Sequence, residues 1–166
     1  MLTEVFVGLG SNIEPERHLR DALAALRNRL TLVETSRAYR NAAVGFRGDD
    51  SLNLVVRLRC TAGPVALEGI LSEIERAAGR QAKVTAVGTI GPRTLDLDLL
   101  LYGSVVDPEL GLPRSDVLRY AFVLRPLAEL VPELVHPVTG RTMLSEWEAI
   151  AYRSPRMEAQ HLLMSG

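Results

Sequence analysis

Asp96 and Asp98 are the residues whose types and spacing point most directly to chemistry. From Leu95 onward the chain reads as a β-strand, and side chains on a strand alternate between its faces. Leu95, Leu97, Leu99 and Leu101 then share one face, and Asp96, Asp98, Leu100 and Tyr102 the other. Two carboxylates one pleat repeat apart, about 6–7 Å along the strand, point the same way. In a partly desolvated place they repel, and one tends to take up a proton. A divalent cation removes that conflict. Carboxylates suit Mg²⁺, which keeps several waters and shares itself with substrate phosphates. Arg93 stands three residues before Asp96, in a Gly91-Pro92-Arg93 turn, and a guanidinium is a good fork for phosphate oxygens. These residues read as a magnesium–phosphate site. Spacing alone also allows two solvated aspartates on a half-exposed edge strand, since a lone Asp-x-Asp is a weak motif.

Other chemistries lack their residues. His18, His136 and His161 are scattered without ligand spacing, and neither a nucleophile elbow nor a Walker phosphate loop is present. Cys60 lies on the apolar face of a predicted strand and reads as a small core residue. What remains is carboxylate-bound metal with arginines, which suits phosphoryl transfer, a reaction that depends on positioning and charge neutralisation.

The elements that must position these residues follow from periodicity. Thr3 to Gly10 reads as a central strand running into a turn at Gly10-Ser11-Asn12. Ser11 or Asn12 is expected to cap a helix that begins near Glu14-Pro15 and buries Leu19, Ala22, Leu23, Leu26 and Leu30. The glycines here do not complete a phosphate-binding fingerprint and are read as a structural turn. A second strand spans 31–39, and the glycines and aspartates of 41–50 mark a loop. In the third strand Leu54, Val56, Leu58 and Cys60 oppose Asn53, Val55, Arg57 and Arg59. Pro64 opens a second helix with Leu67, Ile70, Leu71 and Ile74 inward and Gly79 as its stop. Residues 81–90 form a flexible loop leading into the aspartate strand, and Val105-Val106 form a short partner strand. A third helix covers 117–130, broken or kinked at Pro126, with Phe122, Val123, Leu127 and Leu130 inward. A short helix at 145–152 precedes a tail, 153–166, expected to be poorly ordered. The order β-α-β-β-α-β predicts an α+β fold: a ferredoxin-like split βαβ antiparallel sheet, with helices packed on it and a C-terminal helical extension.

With 166 residues, 47% hydrophobic and 23% charged, the chain fits one soluble domain spanning 1–166. A net charge of −1 leaves no footprint for nucleic acid or an anionic membrane. No apolar run approaches a membrane span and no basic leader opens the sequence. The single cysteine suits a reducing compartment, so a cytoplasmic location is expected.

The motifs also carry a resemblance. Val7-Gly8-Leu9-Gly10-Ser11-Asn12, Tyr39-Arg40, Leu52-Asn53, Glu75 with Gly79-Arg80, and Gly91-Pro92-Arg93-Thr94-Leu95-Asp96-Leu97-Asp98 occur in that order. Phe122-Val123-Leu124, Pro126-Leu127 and Pro132-Glu133-Leu134 follow. In this the chain resembles the 6-hydroxymethyl-7,8-dihydropterin pyrophosphokinase (HPPK) family, whose members move a pyrophosphoryl group from ATP to a pterin alcohol and release AMP in folate synthesis. The resemblance implies two Mg²⁺ ions on Asp96 and Asp98, and phosphate contacts from Arg80 and Arg93. It implies nucleotide contacts from Arg93, Leu99, Arg114, Arg119 and Glu75. It assigns the pterin to Asn53 and Asn41, to the backbone of Val44 and to the ring of Phe122. ATP and the hydroxymethyl-dihydropterin are the implied partners, with a monomer or weak homodimer acting on them.

Departures from the family pattern fall in the ligand sites. Arg114 follows Pro113 where a histidine is usual, Tyr120 replaces an arginine beside Arg119, and Ser51 replaces an aromatic. Asn41-Ala42-Ala43 stands for Thr-Pro-Pro, Ile90 for an aromatic, and Ala82 with Lys83 for a basic residue. These changes leave open a relative with the same transfer chemistry on another alcohol, or a pterin- or nucleotide-binding module of little catalytic rate.

Overall fold

The computed structural model describes residues 2–41, 50–79 and 94–162. Its elements are β1 (Thr3–Ser11), α1 (Pro15–Arg29), β2 (Thr31–Thr35), β3 (Ala38–Asn41) and β4 (Ser51–Cys60). Then come α2 (Pro64–Ala77), β5 (Asp96–Tyr102), α3 (Asp116–Arg119), α4 (Ala121–Leu130), α5 (Met143–Ala151) and β6 (Glu158–Gln160). Six strands form one sheet in the order β5-β1-β4-β3-β6, with β2 also paired to β4, and every pairing is antiparallel. The predicted second strand is two strands, β2 and β3. Between them Ser36 turns its Oγ into the ladder and accepts the N–H of Val55 at 2.9 Å. With β2 and β3 taken together, the succession is the predicted split βαβ unit.

Each sheet face carries its own core. Val5, Val7 and Leu9 of β1, alternate residues Leu52 to Cys60 of β4, and Leu97 and Leu99 of β5 meet α1 and α2. On the opposite face Phe6, Val55, Leu100 and Leu101 meet α3, α4 and α5 through Val117, Val123, Leu124, Leu127 and Met143. Burying a leucine such as Leu67 or Leu127 contributes about 1.5–3 kcal/mol, so each helical layer is held by several such side chains. Cys60 is 3% exposed in the first core, as expected, and burial pushes its thiol up.

Several expectations are corrected. Leu101 does not share a face with Leu95, Leu97 and Leu99. The β1–β5 register pairs Phe6 with Leu101 but Val7 with Leu99, so a β-bulge accommodates Leu100 and the alternation flips beyond it. Leu100 and Leu101 both enter the α3–α5 core, while Tyr102 packs on the other side and donates its hydroxyl to the Ala62 carbonyl at 2.6 Å. The third helix breaks at Tyr120, whose backbone is extended, rather than at Pro126, which lies inside α4. Val105-Val106 form no strand; they follow the Gly103-Ser104 turn as irregular chain, Val105 donating its N–H to the Tyr102 carbonyl. The tail is not without order: Glu158–Gln160 adds an edge strand to β3, Arg40 facing Glu158. Among the described residues no helix is long and apolar enough to cross a membrane.

Candidate active site

β5 carries Asp96 and Asp98 opposite Gly10 and Gly8 of β1. Before the bulge the alternation is regular, so both carboxylates leave the sheet on the face of α3–α5, above two residues without side chains. Across Gly10 from Asp96 stands Asn53 of β4, on the same face. A Cβ on Gly10 would lie 2.6 Å from Asn53 Oδ1, whereas one on Gly8 would meet Leu100 at an ordinary 3.5 Å. Gly8 lies within the strand as expected, Gly10 lies within it too rather than opening a turn, and the two floor a trough between the aspartates and Asn53. The signal that finds them is two glycines at strand spacing inside an apolar strand, where a glycine marks close approach of another group.

Three contacts hold this end of β5. The β1 ladder holds one side. Ser11, expected as a helix cap, instead donates its Oγ to the Thr94 carbonyl at 2.5 Å, and α1 starts from Glu14 with no side-chain cap. On the outer edge Glu75 of α2, 6% exposed, accepts the N–H of Leu97 on Oε2 at 2.8 Å. An edge-strand donor that would otherwise be stranded is satisfied there, midway between the two aspartates.

The electrostatics reflect the crowding of acids. Burial pushes the Asp98 carboxyl up to about 6; Arg114 opposes the shift, and Asp96, Asp116 and Glu75 add to it. Arg114 reaches Asp98 Oδ1 at 3.5 Å and Asp116 Oδ2 at 3.2 Å, while its backbone N–H donates to the Leu100 carbonyl at 2.9 Å. Desolvation works against the guanidinium charge, and Asp98 with Asp116 outweighs it. Among the described residues no three His, Cys, Asp or Glu side chains form a metal cage. A same-face carboxylate pair whose mutual repulsion a cation would relieve nevertheless fits Mg²⁺, provided phosphate oxygens and water complete the shell.

Beyond the trough the polar residues interlock. Asn53 Nδ2 donates to Asn41 Oδ1 at 2.7 Å and to Ser51 Oγ at 2.9 Å, leaving Oδ1 over Gly10. Phe122, in the first turn of α4, packs on the core of the same sheet face and stacks with Tyr120, ring centroids 5.0 Å apart and 18° between planes. Behind them Tyr39 of β3, fully buried, donates its hydroxyl to Glu129 of α4, and Arg37 bridges both. That clasp fixes α4 against β3.

Of the predicted site residues, Asp96, Asp98, Asn53 and Asn41 come together around the trough, and Arg114 joins Asp98. Arg119 lies over the Tyr120 ring at 5.4 Å. Glu75 braces β5 from behind. The Leu99 side chain is 2% exposed in the α1/α2 core, facing away from the aspartates, so the nucleotide contact expected of Leu99 falls to its main chain. Arg80, Arg93 and Val44 lie outside the described residues.

The sequence model of the family described as 7,8-dihydro-6-hydroxymethylpterin-pyrophosphokinase (HPPK) matches residues 6–132. Similar proteins include the 2-amino-4-hydroxy-6-hydroxymethyldihydropteridine pyrophosphokinase of Synechocystis sp., 37% identical over 149 residues, covering 87% of this chain and 74% of that one. The enzyme of the same name from Pseudomonas aeruginosa is 37% identical over 143 residues, covering 82% and 86%. That from Bacillus subtilis is 32% identical over 141 residues, covering 81% and 82%. Among solved structures, wild-type HPPK-DHPS of Plasmodium falciparum with pteroate superimposes with a TM-score of 0.71 at 12% identity. The match covers 92% of this chain and 43% of that longer one, a likeness of fold. Sequence and fold agree, and the chain belongs to the 6-hydroxymethyl-7,8-dihydropterin pyrophosphokinase family.

Proposed function

We propose that this chain transfers the pyrophosphoryl group of ATP to the hydroxymethyl oxygen of 6-hydroxymethyl-7,8-dihydropterin and releases AMP. One observation carries the reading: Asp96 and Asp98 stand together over Gly8 and Gly10, across from Asn53. The substrate oxygen bonds to the β-phosphorus, the bridge between α- and β-phosphorus breaks toward AMP, and the alcohol proton leaves to water. Asp96 and Asp98 are the residues that would hold Mg²⁺, two ions in this reading, and the metal would supply charge neutralisation to the phosphate oxygens. Arg80 and Arg93 meet the phosphates, with Arg114, Arg119 and the Leu99 main chain on the nucleotide. Asn53 and Asn41 read the polar edge of the pterin, Val44 offers backbone contacts and Phe122 a ring face. No strong base is required, because positioning and charge carry this transfer. Glu75 acts one step removed, through β5.

The enzyme is read as a single domain over 1–166, cytoplasmic, and a monomer or weak homodimer acting on small molecules. AMP formation from ATP and the pterin, with and without Mg²⁺, tests the activity. Metal-dependent AMP release is the expected result, and its absence overturns the reading. A second reading, another alcohol as acceptor, is favoured by Ser51, which offers a hydroxyl to Asn53 where the family has a ring. Turnover of another alcohol with none of the pterin would decide for it.

A further inference from the structure

We infer that Arg114 is a resident counter-cation of the metal site: it occupies Asp98 when metal is absent, competes with metal for that carboxylate, and yields it more readily when a triphosphate offers it a new partner. The inference rests on the metal reading of Asp96 and Asp98 given above. Its basis is geometric. The Arg114 backbone is fixed to β5 by its N–H bond to the Leu100 carbonyl at 2.9 Å, so its guanidinium reaches across the bulge. The head then sits 3.5 Å from Asp98 Oδ1 and is steadied from its other side by Asp116 at 3.2 Å. A divalent ion approaching Asp98 meets this positive charge and must displace it.

The pair is built to open. Both side chains keep 39% of their surface exposed, and an ion pair so exposed is weak enough to break at modest cost. Asp116 keeps a carboxylate beside Arg114 after it leaves Asp98. Triphosphate oxygens would offer the guanidinium a stronger bidentate partner. Metal and nucleotide then help one another: metal frees Arg114 for phosphate, and phosphate draws Arg114 off the metal's ligand. By linkage that coupling is reciprocal.

The test is a titration of Mn²⁺, standing in for Mg²⁺, followed by the electron paramagnetic resonance of the free ion at pH 7.5. Wild type, Arg114→Ala and Arg114→Gln are compared with and without the α,β-methylene analogue of ATP, and circular dichroism verifies that each is folded. Without nucleotide both variants bind Mn²⁺ about two- to fivefold more tightly than wild type, the range expected for losing a half-exposed pair. With the analogue present the order reverses, and the variants bind the metal–nucleotide more weakly. Arg153→Ala removes the same charge from an exposed position outside the site and leaves metal-only affinity within twofold.

Unchanged or weaker metal-only binding in both Arg114 variants overturns the inference while leaving the metal reading intact. An equal gain in Arg153→Ala overturns it too, by reducing the effect to net charge. Wild type that binds no Mn²⁺ even with the analogue overturns both readings together.

Discussion

Replacing Gly10 with alanine separates the trough's role in recognition from its role in folding. Gly10 lies in β1 opposite Asp96 and Asn53, and an added Cβ would fall 2.6 Å from Asn53 Oδ1. That is far inside contact distance, so one of them must move. The obstructing atom is the end of a side chain rather than backbone, and the sheet can stay while the Asn53 amide swings away. Doing so breaks its bonds to Asn41 at 2.7 Å and Ser51 at 2.9 Å, at about 1 kcal/mol each. Alanine recovers about 0.4–1 kcal/mol by restricting the unfolded chain. The net loss is about 1 kcal/mol, which lowers Tm by about 3 °C for a domain of this size. The cost to recognition is larger in consequence, because a displaced Asn53 forfeits a hydrogen bond to the acceptor. One such bond, about 1.4 kcal/mol, raises the acceptor KM about tenfold. The KM for ATP should move less than twofold, since Asp96 and Asp98 are untouched. AMP release measured against varied pterin and varied ATP, beside a thermal melt, reads all three quantities. Gly8→Ala is the comparison, its Cβ meeting Leu100 at 3.5 Å. An unchanged acceptor KM in Gly10→Ala would refute the trough argument, and a melt lowered by more than about 10 °C would show that the glycine serves the sheet rather than the substrate.

Asp98→Asn should abolish AMP release yet fold, because the native carboxyl is held up at about 6 and its charge is a liability to the apoprotein. The native state keeps that proton where the unfolded chain has already lost it, so this group's stability contribution falls as pH rises from the ordinary carboxylate range through about 6. Melts of the metal-free protein across pH 4–8 should show that decline in wild type and a flatter profile in Asp98→Asn; a stability that rises through this window in wild type alone would contradict the assignment. Activity in wild type should rise over the same interval as the carboxylate becomes available to metal, and a rate independent of pH between 5 and 7 would count against it. Glu75→Leu leaves the Leu97 N–H without its acceptor at a buried edge, a loss of about 2 kcal/mol and about 6 °C, whereas Glu75→Gln keeps an acceptor and should melt close to wild type. Tyr39→Phe removes the hydroxyl shared by Glu129 and Arg37, so it should lower stability by about 1 kcal/mol, read by urea denaturation; an unchanged midpoint would show that the clasp carries no energy.

Much of the site is written in local sequence. The alternation of residues 95–99 is a property of neighbours along one strand, so two aspartates on a common face can be read without knowing what lies beside them. Leu54, Val56, Leu58 and Cys60 declare their buried face in the same way, and Pro64 and Gly79 bound a helix by their own backbone preferences. What depends on distant partners was not legible. The bulge at Leu100 exists because β1 and β5 must both fill the α3–α5 core, and no periodicity within β5 announces it. Gly10 looks like the start of a turn until Asn53 is found across from it, and Ser11 looks like a cap until Thr94 supplies its acceptor. Arg114 resembles a nucleotide ligand from its place after Pro113; only the folded chain sets it against Asp98. Short-range sterics and hydrophobic alternation determine which strand bears the acids. Contacts between segments far apart in the chain decide what those acids face, because register, bulges and ion pairs are settled only when the sheet closes.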